Sequence, residues 1–242
     1  MDFTLKKYRE LLGALQGYGE VTLRHDVDKR PRNSLKTARM EAAMGLKATY
    51  YFRAVPESWD DDIILEISAL GHEIGYHYES LATCHGDLEA AYSDFCANLE
   101  KLRVLAPVTS ICMHGSPRSK WDSRELWKHY DYHSLGVGYE PYLDTDFSQV
   151  FYLTDTGRRW DGFKASVRDK IPEYQDQWIK NGWVYRHTDD VIKAIESSVF
   201  PKKVMITTHP QRWTDNPIEW YAELLGQSVK NVAKQLLIKK NM

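Results

Sequence analysis

Asp26 and Asp28 follow directly on the strand-like run VTLR and its His25, two residues apart. In an extended segment such residues share a face, so both carboxylates are presented to one place while Val27 turns to the core. Two carboxylates that close repel each other unless something divides their roles. A divalent cation does so, one Asp binding it and the other staying available as a base beside the water it activates. Imidazoles end three other strand-like runs: His77 after HEIGY, His114 after VTSICM and His209 after VMITT. Asp with His suits zinc or a similar borderline metal. Such an ion lowers the pKa of water from about 16 toward about 7 and polarises a carbonyl oxygen, as amide or ester hydrolysis requires. His114 and His209 each precede a turn containing Pro, where folding needs no polar residue. The remaining histidines read as structural: His72 on the opposite strand face from His77, His85 just before the Asp87 helix, His129 and His133 in a polar stretch, and His187 before a helix start.

These residues must be held by the elements before them. Val21 to Arg24, Ala48 to Arg53, Glu73 to Tyr76, Val108 to Met113, Val150 to Thr154 and Val204 to Thr208 read as strands, alternating with segments of helical period. Asn33 to Met44 reads as a helix closed by Gly45. In Asp87 to Leu105 the residues Leu88, Tyr92, Phe95, Leu99 and Leu102 recur on one face. A C-terminal helix is expected over about 218–239. Five strands end in clusters of Asp, His or Arg, including Asp155 and Arg158 to Trp160 after VFYL. In a parallel β/α barrel all such ends open on one face, where active sites sit.

The bulk properties leave this picture room and exclude others. The chain has 242 residues, 43% hydrophobic and 27% charged, with a net charge of −2, which is ordinary for a globular protein and gives no basic footprint for nucleic acid. No window approaches the roughly 18 apolar residues of a membrane span, and the N-terminus lacks a signal-peptide core, so a cytoplasmic location is expected. Three cysteines without CxxC spacing suggest reduced buried thiols. Eight Trp and fifteen Tyr offer faces on which sugar rings stack. Without a repeat or linker, residues 1–242 read as one domain.

HDVDKRP after a strand, ATYYFR some twenty residues on, then GHEIGYH, and a last strand ending in His together resemble the polysaccharide deacetylase superfamily, from about residue 20 to about 215. The resemblance implies a distorted (β/α) barrel of about seven parallel strands, a divalent metal, usually zinc, and removal of acetyl groups from N-acetylated amino sugars. By the same resemblance Asp26 is the general base, Asp28 and His77 are metal ligands, and His209 is the acid that protonates the leaving amine. The segment from Met113 to Pro117 falls where the family has an arginine-proline loop, and Asp155 with Arg158 falls near its tryptophan-aspartate motif.

The sequence departs from that pattern at Leu81, which stands where the family has its second metal histidine. Three protein ligands are usual for catalytic zinc, so either another group completes the shell, His114 first and Glu79 second, or the metal has been lost. The arginine loop is altered to HGSPRSKW, with Arg118 as a compensating residue. Glu79, Arg118, Asp155, Arg158 and Trp160 are the candidate substrate contacts. The leading expectation is a metal-dependent hydrolase of a C–N amide bond, acting on an N-acetylated sugar or polysaccharide precursor. The alternatives are a sugar-binding barrel without catalysis and a metal-dependent hydrolase of a different amide.

Overall fold

All six segments read as strands are strands: β1 (Glu20–Val27), β2 (Thr49–Phe52), β3 (Glu73–Tyr78), β4 (Ile111–Met113), β5 (Phe151–Thr154) and β6 (Lys203–Thr208). The computed structural model describes residues 1–115, 119–160 and 169–240, with side chains as far as 231. Among the described residues six strands are present, against the count of about seven implied by the resemblance. The helices are α1 (Leu5–Leu15), α2 (Pro31–Ala43), α3 (Asp61–Ala69), α4 (Ser80–Thr83), α5 (Leu88–Arg103), α6 (Pro141–Asp144), α7 (Pro172–Lys180), α8 (Thr188–Glu196) and α9 (Pro217–Lys240). Helices between parallel strands are required, because a parallel pair cannot be joined by a tight turn. None of the described helices is long and apolar enough to cross a membrane.

The chain divides into two compact units, Met1–Arg24 with Asp146–Met242, and His25–Thr145. In the first, β5 and β6 pair in parallel from Phe151↔Val204 to Thr154↔Thr207, and the start of β1 joins β6 through the Glu20 N–H on the Lys202 carbonyl, 2.8 Å. Phe3, Tyr8, Trp160 and Trp213 pack together in its core, with ring centroids 5.0 to 6.3 Å apart.

In the second unit β2, β3 and β4 run parallel, with Tyr51↔Gly75 and His77↔Cys112 in register. α2 ends at Ala43, and Gly45 follows with φ +71°, the left-handed conformation that glycine adopts without steric cost. α3 and α5 begin on Asp60 and Asp87, whose carboxylates accept the Ile63 and Ala90 N–H groups at 3.2 and 3.0 Å and so satisfy donors a helix start leaves over. Phe95, Leu99 and Leu102 of α5 are buried, as their spacing requires. Behind the strands a buried polar network ties α2 to β1 and β2. Glu41 meets His25 Nε2 at 2.7 Å and accepts the Tyr50 hydroxyl at 2.7 Å. His72 accepts the Ala48 N–H and donates from Nε2 to the Ala38 carbonyl.

Candidate metal centre

In the second unit the side chains that could do chemistry come from strand ends in pairs two residues apart. Asp26 and Asp28 lie on either side of the last residue of β1, His77 and Glu79 of that of β3, and Cys112 and His114 of that of β4. Alternation along a strand turns each pair to one face. The in-register pairing of His77 with Cys112 then brings the last two pairs side by side.

His77 is 2% exposed, and its Nδ1–H donates to the Cys112 carbonyl at 2.9 Å. Its Nε2 is therefore turned to the carboxylates, 3.7 Å from Asp28 Oδ1 and 3.8 Å from Asp26 Oδ2. His114 repeats the arrangement with a carboxylate as acceptor. Its Nδ1 lies 2.8 Å from Glu79 Oε2, and its Nε2 is 3.5 Å from Asp28 Oδ1. The segment carrying it is pinned by Glu140, fully buried, which accepts the Met113 N–H at 2.9 Å. Asp28, His77 and His114 thus offer donor atoms that all lie within 4.8 Å of one another.

These spacings fit a shared cation better than direct contact. Separations of 3.5 to 3.7 Å are too long for good hydrogen bonds. Two ligands of a tetrahedral zinc, each about 2.1 Å from it, stand about 3.4 Å apart. Both imidazoles also have the nitrogen away from Asp28 engaged by an acceptor, the usual support of a metal-bound histidine. The residues present therefore fit a divalent ion held by two nitrogens and one carboxylate oxygen. A second set, Asp26, His77 and Cys112, all buried, meets the same spacing limit and shares His77 with the first.

Glu79 and Arg53 complete this site. Burial works to raise the Glu79 pKa, but the hydrogen bond from His114 and the charges of His114 and Arg53 outweigh it and hold the carboxyl down at about 2. Arg53 donates to Glu79 Oε1 from Nε and Nη2, at 2.9 and 2.6 Å. The Glu79 oxygens are thus taken up within the protein. Leu81, in the single turn of α4, is 3% exposed. Arg118 lies outside the described residues.

No family model matches the chain. Among curated proteins, a stretch of 99 residues, 41% of this chain, is 29% identical to exonuclease 3'-5' domain-containing protein 2 of Drosophila melanogaster, and the match spans only 15% of that protein's length. Among solved structures, one similar to this chain is Bacillus subtilis PdaA, a family 4 carbohydrate esterase, with a TM-score of 0.44, 14% identity, and coverage of 90% of this chain and 84% of that one. Another is a mutant of the peptidoglycan deacetylase PdaC from Bacillus subtilis, with a TM-score of 0.39, 12% identity, and coverage of 91% and 96%.

The first unit carries the remaining predicted residues. His209, at the exit of β6, donates from Nδ1 to Asp155 Oδ1 at 2.7 Å and from its backbone N–H to Oδ2 at 3.0 Å. Asp155 is fully buried and also accepts from Arg212 Nη1 and, at 2.8 Å, from Trp213 Nε1. Burial opposes its ionisation, but the charges of Arg212 and His209 keep the carboxyl below its ordinary value. This placement makes Asp155 the orienting partner of His209. Trp160 is fully buried, with Nε1 2.9 Å from Thr188 Oγ1, which is a core position. Arg158, at φ +57°, lays its guanidinium over the Phe3 and Trp220 rings at 4.8 and 4.7 Å.

Three residues join the candidate sites beyond those expected individually from the sequence: Cys112, Arg53 and Arg212. The signal for Cys112 was present, since it stands two residues before His114 as Asp26 does before Asp28. Arg53 follows β2 immediately, and the rule that strand ends carry the chemistry extends to it.

Proposed function

We propose that the protein is a metal-dependent hydrolase of a C–N amide bond, and that its substrate is an N-acetylated sugar or polysaccharide precursor. The observation that carries this reading is the convergence of His77 Nε2 and His114 Nε2 on Asp28 Oδ1 at 3.7 and 3.5 Å, each ring held by an acceptor at Nδ1. Asp28, His77 and His114 would hold the ion, zinc being the best match to two imidazoles and a carboxylate. When bound, such an ion polarises a carbonyl and makes water a nucleophile at neutral pH. Asp26, 3% exposed beside His77, takes the proton of the attacking water. For His209, which Asp155 holds through Nδ1, the motif resemblance implies the role of an acid toward a departing amine. The choice of an acetylated sugar rests on the ordered motifs HDVDKRP, ATYYFR and GHEIGYH.

A second reading is a sugar-binding protein without catalysis. It is favoured by the buried Leu81 standing where an imidazole would complete the family's ligand set. Elemental analysis of the purified protein, with Asp28→Ala, His77→Ala and His114→Ala prepared alike, tests the choice. One equivalent of metal in the wild type, lost in all three variants, with acetate released from N-acetylated sugars, is the expected result. No metal after reconstitution removes the hydrolase reading and leaves the binding one.

A further inference from the structure

We propose that the Arg53–Glu79 pair is a positioning device that sets which nitrogen of His114 carries hydrogen, and so turns His114 Nε2 into the third donor that position 81 does not supply. The inference rests on the metal-centre reading above and adds to it the two residues that would make that centre complete.

Glu79 is two residues past His77 and so shares its strand face, while Arg53 follows β2, the neighbour of β3. Nε and Nη2 of Arg53 converge on Glu79 Oε1, and its Nη1 reaches the backbone carbonyl of Asp28 at 3.2 Å. The Arg53 backbone N–H is itself held by Ser58 Oγ at 3.0 Å, and the Ser58 hydroxyl donates to the Val27 carbonyl. One guanidinium thus ties the main chain of a ligand residue to the carboxylate that faces another ligand.

The chemistry of the groups dictates the rest. A guanidinium only donates, and an ionised carboxylate only accepts. Whichever Glu79 oxygen faces Arg53, the other is still an acceptor, so the His114 nitrogen 2.8 Å from it must be the one bearing hydrogen. In the neutral ring Nε2 is then bare and directed at Asp28 Oδ1. An amide at position 79 behaves differently, having one accepting oxygen for two claimants. Arg53 brings two N–H groups to that oxygen and takes it, so the NH2 group faces His114 and favours the ring form with hydrogen on Nε2, which cannot bind a cation.

The test is zinc affinity, measured by competition with a chromophoric chelator on the full chain. Glu79→Gln is expected to weaken zinc binding by about 10- to 100-fold, the usual effect of removing an outer partner of a metal histidine. The double variant Arg53→Met/Glu79→Gln is expected to recover part of that loss, because the amide oxygen is released to His114 while the tie from Arg53 to the Asp28 carbonyl is given up. Glu79→Gln binding zinc like the wild type, or a double variant no better than Glu79→Gln, overturns the proposal while the metal-centre reading stands on wild-type binding lost in Asp28→Ala. Absence of zinc from the wild type overturns both. If Glu79→Gln does not fold, long-range proton–nitrogen NMR of His114 in the metal-free wild type at alkaline pH decides. Hydrogen on Nδ1 is expected, and hydrogen on Nε2 overturns the proposal.

Discussion

Asp26 and Asp28 differ in surroundings although only Val27 separates them. Asp26 is 3% exposed, while Asp28 is half-buried and faces both imidazole Nε2 atoms. That difference supports the proposed division of labour, in which the outer carboxylate holds an ion and the inner one accepts a proton. Asp26→Asn keeps the shape and removes the base. It is expected to retain one equivalent of metal while its kcat for acetate release falls by about 100- to 10,000-fold, the usual contribution of a positioned base. Loss of metal in Asp26→Asn would instead make Asp26 a ligand and favour the buried set with Cys112. The alternation rule made this face legible from the sequence, because Asp-x-Asp on a strand leaves little choice of direction. It could not show that Glu79 would be engaged by Arg53, since that contact depends on how β2 and β3 stand in register.

At the scale of elements, the strands were legible because short β-branched and aromatic runs bounded by turn residues leave few other readings. α3 was less so, since Ile63, Ile64 and Ile67 are apolar enough to suit a buried strand as well. At one position the strands leave no room for a side chain. Gly75 precedes His77 by two residues on β3, and a Cβ there would lie 2.3 Å from the Tyr51 ring, whose side chain is almost fully buried. Gly75→Ala must displace that ring, whose centroid is 6.5 Å from that of His77. Urea unfolding is expected to show a loss of about 1 to 3 kcal/mol, the usual cost of overpacking a core, together with weakened metal binding. In the first unit the exits of β5 and β6 are joined by a buried carboxylate, which gives that unit an acid sensitivity. Because the folded-state pKa of Asp155 lies below the ordinary 3.8, its contribution to stability is complete above about that pH and is lost as pH falls through the folded value. The acid limb of stability against pH should therefore be shallower in Asp155→Asn than in the wild type. Equal slopes would show that other carboxylates govern acid unfolding, such as Asp169, which accepts the Thr154 hydroxyl at 2.7 Å and which, against the effect of burial, the charges of His209 and Arg24 hold below its ordinary value.

At the scale of the whole molecule, the proposed ion is held entirely within His25–Thr145, while His209 and its Asp155 partner belong to the other compact unit. An ion bound only by the folded state stabilises by RT ln(1 + [L]/Kd), about 2.7 kcal/mol at one hundred times Kd. Where an amide exchanges only through an opening that breaks the site, this corresponds to about 100-fold slower hydrogen exchange. Zinc at that excess is thus expected to slow the amides of β3 and β4 by about two orders of magnitude, and His77→Ala should abolish the effect. Amides of β5 and β6 report on cooperativity, because they slow equally if the chain opens as the single domain its sequence suggests, and keep their rates if the units open separately. Zinc that leaves β3 and β4 unchanged would place any bound ion elsewhere and remove the ground for assigning Asp28, His77 and His114 as its ligands.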